Sequence, residues 1–253
     1  MSSATAGSAP APAAGDGSDG VVRVLVVTAH PDDVDFGMAG TVATWTAAGV
    51  DVTYCVCTDG DAGGFDRSVS RPAMAQVRRD EQRAAAKVVG VEHVEFLGYP
   101  DGRLAPTIEL RRDISRVIRQ VRPDRVVCQS PERRWDRIFA SHPDHLAAGE
   151  ASVCAVYPDA RNPFAHPELL DPEGLEPHTV AELWLMASGR PDRHVDVTAT
   201  AEQKLAALRC HASQLPDVAA MEERVRGWLA ATAAEAGLPA GRLAEAFQVV
   251  RTG

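Results

Sequence analysis

Two short runs hold most of the residues able to do chemistry. Ala29-His30-Pro31-Asp32-Asp33 closes an apolar, β-branched run that begins at Val21, and Ser141-His142-Pro143-Asp144-His145 lies far downstream. In each, imidazole and carboxylate groups stand close together with a proline fixing the backbone between them. Such groups are costly to desolvate unless paired, and a divalent cation pairs them. His30 and Asp33, three apart across a tight turn, can reach one cation while Asp32 points elsewhere and stays free. With a third protein ligand, this set suits a catalytic zinc that keeps an open position, where the pKa of water falls to about 7. The second run supplies that ligand. One of His142 and His145 binds metal while the other faces the substrate. The plainer alternative makes Asp32 or Asp33, and Asp144, helix caps. Two such runs, each at the end of a predicted parallel strand, weigh against it.

The elements that must position these runs alternate regularly. An uninterrupted β-branched stretch, Val21 to Thr28, suits a strand covered on both faces. A helix is predicted over Gly37 to Gly49, a strand over Val50 to Thr58, a helix over Met74 to Val89 with Gly90 as its stop, and a strand over His93 to Leu97. The amphipathic Ile108 to Val121 reads as a helix and Arg125 to Gln129 as a fourth strand. This rhythm predicts an α/β, Rossmann-like, mainly parallel sheet flanked by helices. Open sheets of this kind place their ligands at the C-terminal strand ends, where both runs fall. No GxGxxG fingerprint follows the first strand, so a dinucleotide site is not supported. Further on, a helix is expected over Leu146 to Val156, an irregular proline-rich insertion over Tyr157 to His178, strands over Val180 to Met186 and His194 to Val197, and helices over Thr198 to His211 and Val218 to Ala234. The chain therefore divides into a disordered tail (1–20), one catalytic domain (21–215) and a C-terminal helical extension of the same domain (216–253).

Bulk properties narrow the classes. A chain of 253 residues suits one sizeable α/β domain. Its net charge of −9 argues against a nucleic-acid or anionic-membrane binder, and no apolar run is long enough to span a bilayer. The Ala-, Ser-, Gly- and Pro-rich start lacks a basic n-region and an apolar h-region, so it is read as a tail and not as a signal peptide. Five cysteines without framework spacing point to buried free thiols and a cytoplasmic protein.

The paired motifs resemble the PIG-L/LmbE-like family of metal-dependent N-deacetylases. The likeness continues through Gly40-Thr41-Val42-Ala43, Thr58-Asp59-Gly60, Arg78-Arg79-Asp80-Glu81, Phe96 to Gly102, and Lys204 to Leu208 with His211-Ala212-Ser213-Gln214. It covers nearly all of residues 21–215 and assigns nothing beyond. The resemblance implies one Zn2+ per chain (another divalent metal being admissible) held by His30, Asp33 and His145. It makes Asp32 the general base acting on water at the metal. His142 stabilises the oxyanion or protonates the leaving amine, and Asp144 orients a histidine from behind. Arg78 and Asp101 border the substrate pocket; the plain alternatives are a surface Arg78–Glu81 ion pair and a simple Asp101-Gly102 turn. The basic loop Arg133, Arg134, Trp135 and Arg137 either binds substrate or covers the pocket edge. Val34 stands where family members commonly carry glutamate, which loosens any inference about substrate. The implied activity is removal of an N-acyl group, acetyl foremost, from an amino-sugar conjugate or specialised metabolite. That makes the partner a small molecule, with a homo-oligomer left open. Two rivals remain: a metal-dependent hydratase on the same scaffold, and a non-catalytic binding protein. The retained His142 favours amide hydrolysis over the first, and the intact Asp32 and ligand set oppose the second.

Overall fold

The computed structural model describes residues 17, 18 and 20–253; the predicted tail falls for the most part outside them. Gly17 is buried, and a Cβ there would come within 3.0 Å of the Trp184 ring.

Seven strands form one sheet in the order β3-β2-β1-β4-β5-β7-β6. They are β1 (Arg23–Thr28), β2 (Asp51–Thr58), β3 (His93–Tyr99), β4 (Arg125–Gln129), β5 (Glu182–Met186), β6 (Arg193–Asp196) and β7 (Ala244–Arg251). The first five pair in parallel, and β7 runs antiparallel to both β5 and β6. The helices are α1 (Asp33–Ala47), α2 (Arg71–Val88), α3 (Ile108–Val121), α4 (Pro143–Cys154), the single-turn α5 (Pro167–Leu170), α6 (Ala201–Arg209) and α7 (Val218–Glu235). One core cluster takes Val24, Val26 and Val127 with side chains of α1, α2, α6 and α7. The other takes Leu25, Val27 and Val126 with α3 and α4. Alternate residues of β1 thus enter opposite cores, which is why its sequence is an unbroken apolar run. Cys55, Cys57 and Cys128 are buried free thiols in the second core.

Chain order reverses between β1 and β4, with β2 and β3 on one side and β5 on the other. The crevice of such a sheet opens at the C-terminal edge of that switch point. The first His motif leaves β1 there. The second follows β4 and forms the N-cap and first turn of α4, and α4 packs so close to β4 that a Cβ on Gly149 would stand 2.4 Å from the Gln129 carbonyl oxygen.

The extension after residue 215 is helical only over α7. Ala244–Arg251 is a strand inserted into the sheet, a correction to the expected helical extension. Its inward pattern is hidden because Glu245, only 3% exposed, occupies a core position. Glu245 Oε1 meets Lys204 Nζ at 2.7 Å, while its two carboxylate oxygens accept the N–H groups of Gly40 and Thr41 at 3.2 and 2.7 Å. Lys204 also donates to the carbonyls of Asp35 and Phe36. One buried ion pair therefore ties α1, α6 and β7 together. Removing one member of such a pair strands the other charge at a cost of about 3–5 kcal/mol. Lys204→Met is expected to lower unfolding stability by that amount in urea denaturation, whereas a change under about 1 kcal/mol would show that the pair is not needed.

Candidate active site

The turn after β1 is built around Asp32, whose φ of 84° lies in the left-handed region that non-glycine residues rarely occupy. Its side chain makes no helix-cap bond. The Asp32 N–H donates to Gln82 Oε1 at 2.7 Å, and Arg78 Nη2 donates to Asp32 Oδ2 at 3.0 Å and to the Pro31 carbonyl. Arg78 is 4% exposed. It does not pair with Glu81, which instead accepts from the N–H and hydroxyl of Ser213. A Cβ on Gly60, itself at φ 62°, would stand 3.0 Å from Pro31 Cδ, so the second strand-end loop backs the turn closely.

Three imidazoles face one another. The His30, His142 and His145 ring centroids lie 5.0–5.2 Å apart, and one nitrogen from each falls within 4.8 Å of the others. Asp33 lies between two of them, with Oδ1 3.0 Å from His145 Nε2 and Oδ2 3.4 Å from His30 Nδ1. Behind His30, its Nε2 is 3.1 Å from Asp101 Oδ1 and 3.2 Å from Asp144 Oδ2. Asp144 is 1% exposed, and its oxygens also accept the N–H groups of Gly102 and Leu104. His30, Asp101 and Asp144 form a second possible ligand group, in which Asp144 is also engaged by two backbone N–H groups. His30 Nδ1, on the Asp33 side, is the nitrogen that could share a cation with Asp33, with Asp101 and Asp144 fixing the ring from behind.

The electrostatics fit a divalent cation. Burial opposes charge on His30, yet hydrogen bonds donated by its ring to the carboxylates of Asp101, Asp144 and Asp33 push its pKa up to about 12. His145, disfavoured by burial but held by Asp33, is also raised. Two protonated rings this close repel each other, and a dication would take the place of their protons while balancing the carboxylates. Burial, only partly offset by Arg78, raises the Asp32 carboxyl to about 6. Burial and the neighbouring His30 and His145 lower His142. His142 Nδ1 accepts the Asp144 N–H at 3.2 Å, capping α4; this assigns the ring proton of neutral His142 to Nε2. The cap of α4 is therefore His142, not Asp144.

Asp32, Arg78, Asp101, His142 and His145 line one polar cleft. The Arg133–Arg137 loop reaches the edge of the site through Arg137. Trp135 is 80% exposed and Arg134 pairs with Asp136, while Arg137 stacks over Phe139 and Trp228.

Residues that sequence reasoning left unassigned support the site from beneath. His211 Nε2 is 2.9 Å from Asp35 Oδ2, both side chains are fully buried, and Gln82 Nε2 donates to the same oxygen. Gln82 thus links this pair to the Asp32 backbone. The signals in the sequence were the polar Asp35 beside an apolar helix and the family-like His211-Ala212-Ser213-Gln214 run.

A family model, PIG-L: GlcNAc-PI de-N-acetylase, matches residues 25–156. The diacetylchitobiose deacetylase of Thermococcus kodakarensis is 35% identical over 197 residues, covering 78% of this chain and 72% of that protein. The structure of N,N'-diacetylchitobiose deacetylase from Pyrococcus horikoshii, 31% identical, superposes with a TM-score of 0.86 over 93% of this chain and 86% of that one. A 4-carboxy-2-hydroxymuconate hydratase from Pseudomonas putida, 22% identical with a TM-score of 0.75 over 92% of this chain and 97% of that one, shares the fold alone. The chain belongs to the PIG-L family, and it is an amide hydrolase of the N-deacetylase class. Deacetylases of this family depend on a metal ion, and the His and Asp groups described above offer a site for one. Among the described residues, no helix is long and apolar enough to cross a membrane.

The His211–Asp35 pair has a pH signature. Burial disfavours the His211 cation, but Asp35 outweighs it and the pKa is raised above 6.5. A raised folded-state pKa contributes stability that is full below the unfolded value and lost as pH climbs through the folded one. Denaturant titrations are expected to show wild type losing more stability than His211→Asn between pH 6.5 and 9; parallel slopes would contradict the pair's charge.

Proposed function

We propose that the protein hydrolyses the N-acetyl group of an acetylated amino sugar with zinc as its metal ion, held by His30, Asp33 and His145. Asp32 is the general base, and His142 steadies the developing oxyanion. The observation that carries this reading is that Asp32 shares a cleft with the three imidazoles while its carboxylate is held by Arg78 and not by the ligand group. The names of the relatives, deacetylases of an acetylated amino-sugar disaccharide, support the substrate class. Free thiols at Cys55, Cys57, Cys128, Cys154 and Cys210 accord with a cytoplasmic setting.

Zinc supplies Lewis acidity at the amide carbonyl and lowers the pKa of water there. The side chains do the rest. With a pKa of about 6, Asp32 is a carboxylate at neutral pH yet basic enough to take a proton from the attacking water. As oxygen bonds to the carbonyl carbon and the C–N bond breaks, that proton passes to the departing nitrogen, giving an amine and a carboxylic acid; the acid's own proton then goes to the amine, leaving carboxylate and ammonium at neutral pH. His142, kept neutral by its lowered pKa, presents Nε2–H as a hydrogen-bond donor. Asp101, part-buried in the cleft wall between His30 and the Ala62 N–H, is placed to accept a further hydrogen bond from a sugar hydroxyl, and Arg78 acts through Asp32.

The test separates base from ligand. Asp32→Asn should keep about one zinc per chain while kcat on an N-acetylated amino sugar falls about 10²–10⁴-fold. His30→Ala, Asp33→Ala and His145→Ala should each lose most of the metal by elemental analysis. Full turnover by Asp32→Asn, or metal retained in all three ligand variants, would overturn the assignment.

A further inference from the structure

A second, apolar groove of about 290 Å³ adjoins the polar cleft, and the two share Asp33, Phe139 and His145 in their linings. The groove's walls are Phe36 of α1, Phe139 of the loop before α4, Met186 at the end of β5 and Trp228 of α7. Phe139 and Trp228 are stacked, 6.1 Å between centroids and 14° between planes. Arg137 lies over both rings and Arg224 over Trp228. These cation–π contacts hold the wall in place. Trp228 remains 37% and Phe139 60% exposed, so the apolar surface they present is open to an occupant.

We infer that this groove is an acyl-chain subsite, and that the preferred substrates carry an unbranched or aromatic acyl group longer than acetyl. The inference rests on the amide-hydrolase reading above. A secondary amide is planar and trans, so its acyl and amine substituents project in opposite directions from the C–N bond. Asp32, which returns the proton to nitrogen, and His142 line the polar cleft and not the groove. The amine-bearing sugar therefore lies in the polar cleft with Asp101, and the acyl chain points past Asp33 and His145 into the groove. A cavity needs only about 10–15 Å³ of this kind of volume to hold one water-sized group, so an acetyl methyl would leave most of the groove unfilled. Hydrolysis of the longer amide balances as before: water adds at the carbonyl carbon, the C–N bond breaks, one proton goes to nitrogen, and the products are the amine and a fatty or aryl carboxylic acid. The residues after 215, which carry Trp228, thereby acquire a role as the distal wall of the substrate site.

The zinc-loaded full chain is assayed on glucosamine bearing N-acetyl, N-butanoyl or N-hexanoyl groups, which hold the amine side constant. Burial of each methylene is expected to raise kcat/KM about fourfold, so burying even two of the four methylenes that hexanoyl adds gives a hexanoyl-to-acetyl ratio above about tenfold. Trp228→Ala, which removes the wall, and Ala140→Leu, which fills the groove, should each bring that ratio towards one; a ratio is insensitive to the fraction of folded enzyme. Calorimetric binding of the free acids supplies a second readout, with hexanoate expected to bind at least tenfold more tightly than acetate. A wild-type ratio of one or less with acetyl turnover intact overturns the subsite and leaves the deacetylase reading standing. If none of the three amides turns over, preferential hexanoate binding lost in Trp228→Ala upholds the subsite and rejects the amino-sugar substrate. Equal binding of the two acids in that case overturns the subsite as well.

Discussion

Four carboxylates, those of Asp32, Asp33, Asp101 and Asp144, crowd the crevice where β1 and β4 end, and the need to balance their charge away from water governs what surrounds them. His30 answers three of them at once, His145 answers Asp33, and Arg78 answers Asp32. The balance is uneven in a useful way. Asp33 and Asp144 are surrounded by donors and held well ionised, whereas Asp32 is left with one guanidinium against its burial, so its pKa moves up towards neutrality. Division of neighbouring carboxylates into a committed one and a proton-carrying one is how a site acquires a base.

The same constraint explains the strained backbone. Asp32 occupies the left-handed region because Arg78 clamps the Pro31 carbonyl and Gln82 clamps the Asp32 N–H. Gln82 is itself anchored on Asp35, which is paired with His211 in a fully buried layer. Strain at a functional turn persists only where its surroundings over-determine it, and here helices α2 and α6 with the turn after α6 provide that support.

Much of the fold and of the candidate site was legible from the chain because the candidate residues are local in sequence. A strand that runs into His-Pro-Asp-Asp declares its burial and the polar groups at its end, and the β-α alternation places the second motif on the same edge. Helix ends shifted where side chains took tertiary partners: α1 begins at Asp33, four residues before the predicted start, because the left-handed Asp32 launches it. What stayed hidden depends on contacts between distant residues. Arg78 reads as a surface helix residue until α2 is laid against the Asp32 turn. Ala244–Arg251 does not alternate as a strand should, because Glu245 is buried only by virtue of Lys204. The apolar half of the crevice could not be read at all, since Phe36, Phe139, Met186 and Trp228 come from four separate elements. Each alone is an unremarked apolar side chain.

The central claim is that Asp32 is a free, proton-carrying carboxylate tuned by Arg78, and the pH dependence of kcat/KM in Arg78→Met tests it most directly. Wild-type activity should rise with pH as Asp32 ionises, with a midpoint at or below about 6, because a bound dication adds to the pull of Arg78 on the proton. Removing the guanidinium makes the carboxylate harder to ionise, so the acidic limb of the variant should move to higher pH. An acidic limb that keeps the wild-type midpoint in Arg78→Met would contradict the account.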